Sequence, residues 1–286
     1  MVVMVFIIAP RAFVAADRIN EVLDTEPTIV DGKGETAAAD GKVEFKHVSF
    51  AYPGGSGAVL SDINFTLGKG ETLAIIGSTG SGKTTLVNLI PRFYDASEGE
   101  VLVDGVNVKD YTIEELCRRL SYISQKAVMF SGTIKSNVVF GQDADEELFD
   151  DALRISQSEE FVSELDERED ASVSQGGTNF SGGQKQRLSI ARALSKHPEI
   201  IIFDDTFSAL DFKTDRELRN ALQNELDGVT KIIVAQRIGT IMGADKIIVL
   251  DEGRQVGIGT HKELLSDCGV YKQIALSQLS EEELAL

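Results

Sequence analysis

The chain has 286 residues and 42% hydrophobic content, enough for one large domain or two modest ones with a packed core. Its 46 acidic and 28 basic side chains give a net charge of -18 and a pI near 4.6, a surface that repels phosphate backbones and argues against a nucleic-acid partner. Cys117 and Cys268 lack metal-ligand spacing and fit a reducing cytosol without a chemical role.

The N-terminal segment MVVMVFIIAP is apolar but reaches only about half of the roughly 20 residues that a membrane span needs. No basic segment precedes it, so it does not match a signal peptide. Two interpretations stay open: a short buried or frayed segment, or the end of a truncated transmembrane helix. Phe13, Ala16, Ile19 and Leu23 follow at near-helical spacing, which predicts that the segment continues into a polar-faced helix.

Residues 25–42 are rich in Gly, Ala and charge without periodicity and are predicted to be a linker. The segments VEFKHVSF and SDINFTL then alternate apolar and polar residues, which predicts half-buried antiparallel strands. After them the apolar strands TLAIIG, LSYIS, IIIFDD and KIIVAQ alternate with helical patterns, which predicts a mainly parallel sheet with helices on both faces. Residues of about 130–174 show helical period without a convincing strand, so they are predicted to be a helical insertion.

The segment GSTGSGKT matches the phosphate-loop pattern G-x-x-x-x-G-K-[ST] between a predicted strand and a predicted helix. Glycines let backbone N–H groups curl around phosphates, and the helix start adds partial positive charge. Lys83 is expected to meet the outer phosphates and the Thr84 hydroxyl to face Mg²⁺. The predicted nucleotide-binding residues here are Gly77, Ser78, Thr79, Gly80, Ser81, Gly82, Lys83, Thr84 and Thr85.

Two aspartates end the predicted strand IIIFDD. Successive side chains on a strand point to opposite faces, so Asp204 and Asp205 are not expected to share one task. Asp204 is predicted to hold Mg²⁺ through water, and Asp205 to orient or deprotonate an attacking water. An alternative for Asp205 is that it only caps the following turn.

A second phosphate-binding device is predicted at NFSGGQKQRLSIARAL, where Ser181, Gly182, Gly183 and Gln184 begin a helix. SGGQ between a phosphate loop and FDD…SALD closely resembles the nucleotide-binding domain of an ABC transporter, over residues of about 41–276. The resemblance implies a phosphate-loop (RecA-like) α/β fold with an antiparallel β subdomain and an α-helical subdomain of about residues 126–195.

The resemblance also implies the roles of further residues. In that family two domains dimerise head to tail, so that the SGGQ residues of one chain close over ATP on the phosphate loop of the other. Tyr52 would stack on adenine, Gln125 would be the Q-loop residue near Mg²⁺, and Ser208 to Asp211 would form the D-loop at the dimer interface. Residues 1–24 would be the end of the last transmembrane helix and its connecting helix, 43–276 the nucleotide-binding domain, and 277–286 a C-terminal tail, part of the acidic helix predicted for LSQLSEEELAL.

This chain departs from the family at two catalytic positions. The family's usual Walker B ending is Asp-Glu, whereas Asp205 stands where the Glu is expected, and Gln236 stands where a switch histidine is expected. Compared with a glutamate, Asp205 holds its carboxylate back by about 1.5 Å. The amide of Gln236, unlike a histidine ring, cannot become a cation. His197 and His261 are predicted to be surface or turn residues. The site is therefore expected to bind Mg-ATP well and to hydrolyse it poorly, as in the degenerate half of a heterodimeric exporter.

The leading interpretation is the ATPase domain of a multidrug-type ABC exporter at the cytoplasmic face of the cell membrane. It implies ATP and Mg²⁺ as ligands, a second half-transporter that carries the Glu and His, its own transmembrane domain, and an exported small-molecule or lipid substrate. A non-hydrolytic regulatory module that ATP dimerises is the alternative. A soluble ABC ATPase of DNA repair or translation is disfavoured by the acidic charge and the absence of a second phosphate loop.

Overall fold

The computed structural model describes residues 2–55, 57–141 and 146–279. These residues divide into two compact units, one ending at Val30 and the other beginning at Asp31. The first unit contains the helix α1, Val2–Leu23, which passes through Pro10 without ending although proline lacks one helix hydrogen bond. The apolar start and the periodic segment after it are therefore one helix. None of the described helices is both long enough and apolar enough to cross a membrane.

The second unit is a large sheet with helices on both faces. In the described residues its strands are β1 Val43–Phe50, β2 Leu60–Leu67, β3 Thr72–Gly77, β4 Glu98–Val103, β5 Val106–Asn107, β6 Leu120–Ile123, β7 Gly132–Thr133, β8 Ser172–Val173, β9 Ile200–Asp204, β10 Thr230–Val234, β11 Lys246–Asp251 and β12 Arg254–Gly259. Its described helices are α2 Lys83–Asn88, α3 Ile113–Arg119, α4 Ile134–Val138, α5 Glu146–Ile155, α6 Glu159–Ser163, α7 Gly182–Leu194, α8 Phe212–Glu225, α9 Ile238–Ile241, α10 His261–Asp267 and α11 Gly269–Leu276.

The described strands other than β7 and β8 form one sheet in the order β5-β4-β1-β2-β12-β11-β3-β10-β9-β6. The neighbours from β11 to β6 are parallel, and those from β5 to β2 are antiparallel. Between them, β12 pairs antiparallel with β11 and meets β2 at Arg254 and Ser61. The predicted mixed fold, a mainly parallel sheet with an antiparallel part, is confirmed.

Both faces of the parallel strands are buried, which explains their continuous apolar sequences. β9 is buried along its whole length. One apolar cluster packs between the sheet and α5, α7, α8, α10 and α11, and another packs against α2, α3 and the antiparallel strands. Because helices cover both faces of the sheet, polar side chains are placed at its edge, where the carboxyl ends of the parallel strands β3, β6, β9 and β10 meet.

The predicted helical insertion contains α4, α5 and α6, and α7 follows it. It also contains a short antiparallel pairing that the sequence analysis did not predict, β7 with β8. Two residues per strand are too few to show the alternation from which strands are recognised. The tail helix predicted for LSQLSEEELAL falls mainly on residues 280–286, which lie outside the described residues.

The second half of the predicted linker, residues 31–41, is bonded to the domain around α3. Gly32 N and Gly34 N donate to the carbonyls of Tyr111 and Asp110, and Arg119 Nη2 donates to Ala37 O at 2.7 Å. A Cβ on Gly32 would lie 2.3 Å from Lys109 O, so only glycine permits this approach. We name residues 31–41 the strap.

The prediction that His261 is a surface or turn residue is wrong. His261 is the first residue of α10 and is only 8% exposed. Its Nδ1 lies 2.7 Å from the hydroxyl of Tyr271 on α11, a buried residue. The packing of α10 on α11 buries this pair, and the local sequence carries no sign of that contact. His197, by contrast, is exposed as predicted.

Candidate functional site

The phosphate-loop segment lies where β3 ends and α2 begins, as its sequence context predicts. Gly77 ends β3, and a Cβ there would lie 2.2 Å from Leu250 O on the neighbouring strand β11. Gly80 and Gly82 have φ values of 83° and 97°, in the left-handed region that favours glycine. The three glycines are therefore required by the backbone, which turns sharply while packed against the sheet.

Lys83 is the first residue of α2 and folds back over the loop. Its Nζ donates to Gly77 O at 2.8 Å and to Ser78 O at 2.7 Å. Burial lowers the pKa of Lys83, and the carboxylates of Asp205 and Asp204 act in the opposite direction. The ammonium thus lies beside the loop carbonyls, half-buried and near two acids.

The loop also contains a polar atom without a partner. Ser81 is only 2% exposed, and its Oγ has no hydrogen-bond partner among the described residues. A buried hydroxyl without a partner is energetically costly, and such groups call for an explanation such as a ligand. The loop therefore presents at least one donor that this chain alone does not use.

Asp204 ends β9 and is held by two hydroxyl groups. Thr84 Oγ1 donates to Asp204 Oδ1 at 2.9 Å, and Tyr122 Oη donates to Asp204 Oδ2 at 2.9 Å. Burial raises the pKa of Asp204, while the bonds from Tyr122 and Thr84 lower it. Burial, together with the nearby Asp204, also raises the pKa of Tyr122, so the phenol keeps its proton. The structure thus joins Thr84 and Asp204, two predicted metal-binding residues.

Tyr122 is not among the site residues predicted from the sequence. The residue lies on β6, whose parallel register places it beside Ile202 of β9, two residues before Asp204. Residues two apart on a strand share a face, so Tyr122 and Asp204 lie on the same side of the sheet. This inference requires knowing that LSYIS and IIIFD are adjacent strands, and local sequence patterns do not predict which strands are adjacent.

Asp205 follows β9 in a left-handed backbone conformation, with φ 49° and ψ 30°. Its Oδ2 accepts hydrogen bonds from Gln236 Nε2 at 2.7 Å and from Gln125 Nε2 at 2.9 Å. Asp205 is 7% exposed. The two aspartates therefore have separate partners: hydroxyl groups hold Asp204, and the amides of Gln125 and Gln236 hold Asp205. Gln125, expected near a metal, is bonded here to the second acid.

A cleft of about 250 Å³ connects these groups. It joins the phosphate loop to Gln125, Asp205 and Gln236. Its predicted site residues are Thr79, Gly80, Gly82, Lys83, Thr84, Thr85, Gln125, Asp205 and Gln236. Val59 and Val234 complete the lining.

Tyr52 lies next to this cleft without lining it in the described structure. Its hydroxyl is 2.9 Å from Thr85 Oγ1, and its ring meets Phe50 and Tyr94 edge-on at centroid distances of 4.9 Å and 5.1 Å. The residue is half-buried. The hydroxyl contact ties Tyr52 to α2, and its stacking on adenine stays a prediction.

The SGGQ segment begins α7, as predicted. Ser181 caps the helix: its Oγ accepts from Gln184 N, and Gln184 Oε1 accepts from Ser181 N at 2.9 Å. Ser181 and Gly182 are exposed, and within the described residues none of the SGGQ residues lines the phosphate-loop cleft. Of the predicted D-loop, Ser208 Oγ donates to Asp205 O at 2.8 Å, and Asp211 caps α8. The single chain thus leaves the predicted second phosphate-binding device apart from the first.

The family match and the similar proteins agree with one another. Residues 60–208 match the family described as "ABC transporter". An uncharacterized ABC transporter ATP-binding protein of Mycobacterium bovis is 44% identical over 287 aligned residues, covering 97% of this chain and 49% of that protein. An ATP-dependent lipid A-core flippase of Coxiella burnetii is 38% identical, covering 96% of this chain and 47% of that protein.

A solved structure is similar over the same extent. It is described as a bacterial Atm1-family ABC exporter with ATP bound, and it matches with a TM-score of 0.89 and 32% identity over 97% of this chain and 49% of the other. This chain therefore spans about half the length of the curated relatives that it matches.

Proposed function

This chain belongs to the ABC transporter family, and we propose that it is the ATP-binding and ATP-hydrolysing domain of an ABC exporter. The observation that carries the proposal is the hydrogen bond from Thr84 on the phosphate loop to Asp204 at the end of β9. It brings the phosphate-loop hydroxyl and the strand-end acid together beside one cleft. The similarity to an exporter solved with ATP bound supports the same function.

The residues of the phosphate loop and of the adjoining cleft fit ATP. The loop glycines expose backbone N–H groups, Lys83 supplies a cation, and Ser81 Oγ is a buried polar atom in need of a partner. A phosphate group would give Lys83 a stronger partner than the loop carbonyls do, and it would give Ser81 Oγ a partner, which it lacks among the described residues. We assign the nucleotide to residues 77–85 and adenine to Tyr52.

The oxygen atoms that these residues offer as ligands also fit Mg²⁺. Thr84, Gln125 and Asp204 offer a hydroxyl, an amide and a carboxylate, all oxygen ligands, and such a set suits a metal ion that keeps several waters and binds phosphates. When bound, Mg²⁺ would neutralise charge on the phosphates. The protein's part is to hold Thr84 and Asp204 in contact and to exclude water from the buried side of the acid.

We propose that hydrolysis at this chain's own site is slow. Asp205 Oδ2 is occupied by two amide donors, and the shorter side chain holds its carboxylate back from the position that a glutamate would reach. Gln236 can hydrogen-bond a γ-phosphate but cannot become a cation. The same contacts favour the second candidate function, a regulatory module that ATP dimerises without hydrolysis.

The SGGQ segment, in which Ser181 and Gly182 are exposed, supports a paired arrangement. Ser181 to Gln184 are preorganised by their capping box yet lie apart from this chain's cleft, so we propose that they close over ATP on a second half-transporter. That partner would carry the glutamate and histidine that this chain lacks. The pair would act with transmembrane domains at the cytoplasmic face of the cell membrane and export a small molecule or lipid.

Binding of a fluorescent ATP analogue tests the proposed function. Lys83→Ala is expected to weaken binding at least about 10-fold, because it removes a charge-assisted contact to phosphate. Lys46→Ala, the same change at an exposed residue of β1, is the control and should bind like the wild type. A wild-type chain without affinity for the analogue would contradict the proposal.

A further inference from the structure

Tyr122 lies on β6, the edge strand of the parallel part of the sheet, and its hydroxyl extends to the acid that ends β9. An ionised carboxylate only accepts hydrogen bonds, so both hydroxyls on Asp204 are donors. Thr84 occupies Oδ1 and Tyr122 occupies Oδ2, each at 2.9 Å. Two different elements, α2 and β6, therefore hold the two oxygens of one carboxylate.

Packing fixes the position of the Tyr122 hydroxyl. The ring meets Phe93 edge-on, with a centroid distance of 5.3 Å and an interplanar angle of 71°. It also packs against the apolar cluster between the sheet and α2, and the pairing of Tyr122 with Ile202 fixes its height along β9. A rigid ring held in this way positions its hydroxyl better than a flexible side chain would.

The bond to Oδ2 determines how the carboxylate is turned. The terminal torsion of an aspartate is broad, so a carboxylate held at one oxygen rotates easily. Held at both oxygens, Asp204 has one orientation, the one that also accepts from Thr84. Hydrogen bonds of this outer kind commonly change metal affinity by about 10- to 100-fold when they are removed.

We propose that Tyr122 is a positioning residue for magnesium, which holds the Asp204 carboxylate in its Thr84-bonded orientation through the bond to Oδ2. This inference rests on the proposed function, because it needs ATP and Mg²⁺ at this cleft. It also means that β6 contributes directly to the site. Tyr122 on the strand donates a hydrogen bond to Asp204, and Gln125, just beyond the strand, donates one to Asp205.

The test is Tyr122→Phe in the full 286-residue chain, which keeps the ring and removes the hydroxyl. Two quantities are measured: affinity for a fluorescent ATP analogue in EDTA, and the Mg²⁺ concentration that gives half of the metal-dependent fluorescence change. We expect the Mg²⁺ midpoint to rise about 10-fold and the metal-free affinity to stay within about twofold. Tyr94→Phe is the control, because the Tyr94 hydroxyl makes no hydrogen bond to a described residue; neither quantity should change.

An unchanged Mg²⁺ midpoint in Tyr122→Phe, with wild-type binding intact, would overturn the inference and leave the proposed function standing. An equal loss of affinity with and without metal would also overturn it, since that pattern indicates general damage to the site. Absence of binding by the wild type would instead refute the proposed function.

A second variant tests whether Tyr122 acts through Asp204. In an Asp204→Asn background, Tyr122→Phe should shift the Mg²⁺ midpoint by no more than about twofold further, because the acceptor that it positions is already altered. A full 10-fold shift in that background would show that the tyrosine acts by another route and would overturn the inference.

Discussion

Gln236 Nε2 donates a 2.7 Å hydrogen bond to Asp205 Oδ2, the oxygen that also accepts from Gln125 Nε2 at 2.9 Å. The two positions at which this chain is predicted to depart from its family are therefore in direct contact. The Asp205 side chain reaches both amides, and the Gln236 amide is neutral and can donate to it. The two residues thus form one local arrangement in which Oδ2 of the acid accepts hydrogen bonds from two protein amides.

Because the two residues touch, restoring the usual pair should be strongly non-additive. In a complex with a second half-transporter, Asp205→Glu with Gln236→His should raise hydrolysis at this site by about 10²- to 10⁴-fold, the range of a well-placed general base. Each single change should give much less than half of that gain on a logarithmic scale. Asp205→Glu alone pushes the carboxylate about 1.5 Å toward the amides that now hold it. Single-turnover hydrolysis measures all three variants.

The matched control for this pair is Asp267→Glu with Gln273→His, the same chemical changes at exposed residues of α10 and α11. It should leave hydrolysis unchanged. If the double change Asp205→Glu with Gln236→His does not raise the hydrolysis rate in a correctly paired complex, the explanation of slow hydrolysis is wrong.

Arg119 connects the strap to the sheet through a buried ion cluster. It is 7% exposed, and its guanidinium binds Asp104, Glu115, Glu199 and the Ala37 carbonyl. Arg119→Met should destabilise the fold by about 3–5 kcal/mol, because the side chain of Asp104, 1% exposed, would lose its cationic partner. Chemical denaturation of the full chain measures the loss.

The neighbouring residue provides the control. Arg118 binds Glu115 at 2.6 Å but is 74% exposed, so Arg118→Met should change stability by less than about 1 kcal/mol. Equal effects of the two substitutions would show that burial of the Arg119 cluster does not decide its contribution.

Glu71 should give the domain a measurable acid dependence. The hydrogen bond from Lys246 Nζ, and then that from Gly68 N, lower the pKa of Glu71 below its ordinary value. A lowered folded pKa contributes stability that is present above the unfolded pKa, about 4.3, and is lost as the pH falls through the folded pKa. Both side chains are about one-third exposed, so the contribution is at most about 1 kcal/mol.

We therefore expect Glu71→Gln to be less stable than the wild type in urea at pH 7 and to approach it at about pH 3. Glu100→Gln, at an exposed residue of β4, should follow the wild type at both values. A difference between Glu71→Gln and wild type that stays constant with pH would exclude the ionic explanation.

The sequence by itself determined the phosphate loop, the strand that ends in Asp204 and Asp205, and the alternation of strands and helices. These features are local, because backbone conformation at glycines, side-chain alternation and helix capping depend on residues a few positions apart. The departures predicted at Asp205 and Gln236 depend on comparing such local segments with the pattern of the family that the sequence resembles. The mixed parallel and antiparallel sheet followed from the same local patterns.

Only the tertiary structure decided which side chains meet. Tyr122 and Asp204 are 82 positions apart, and Gln125 and Asp205 are 80 apart; each pair meets because β6 and β9 are adjacent parallel strands. The burial of His261 against Tyr271 likewise depends on how α10 and α11 pack. Strand order and helix packing depend on how the whole chain buries its apolar surface. Contacts between distant segments therefore cannot be predicted from the sequence of either segment alone.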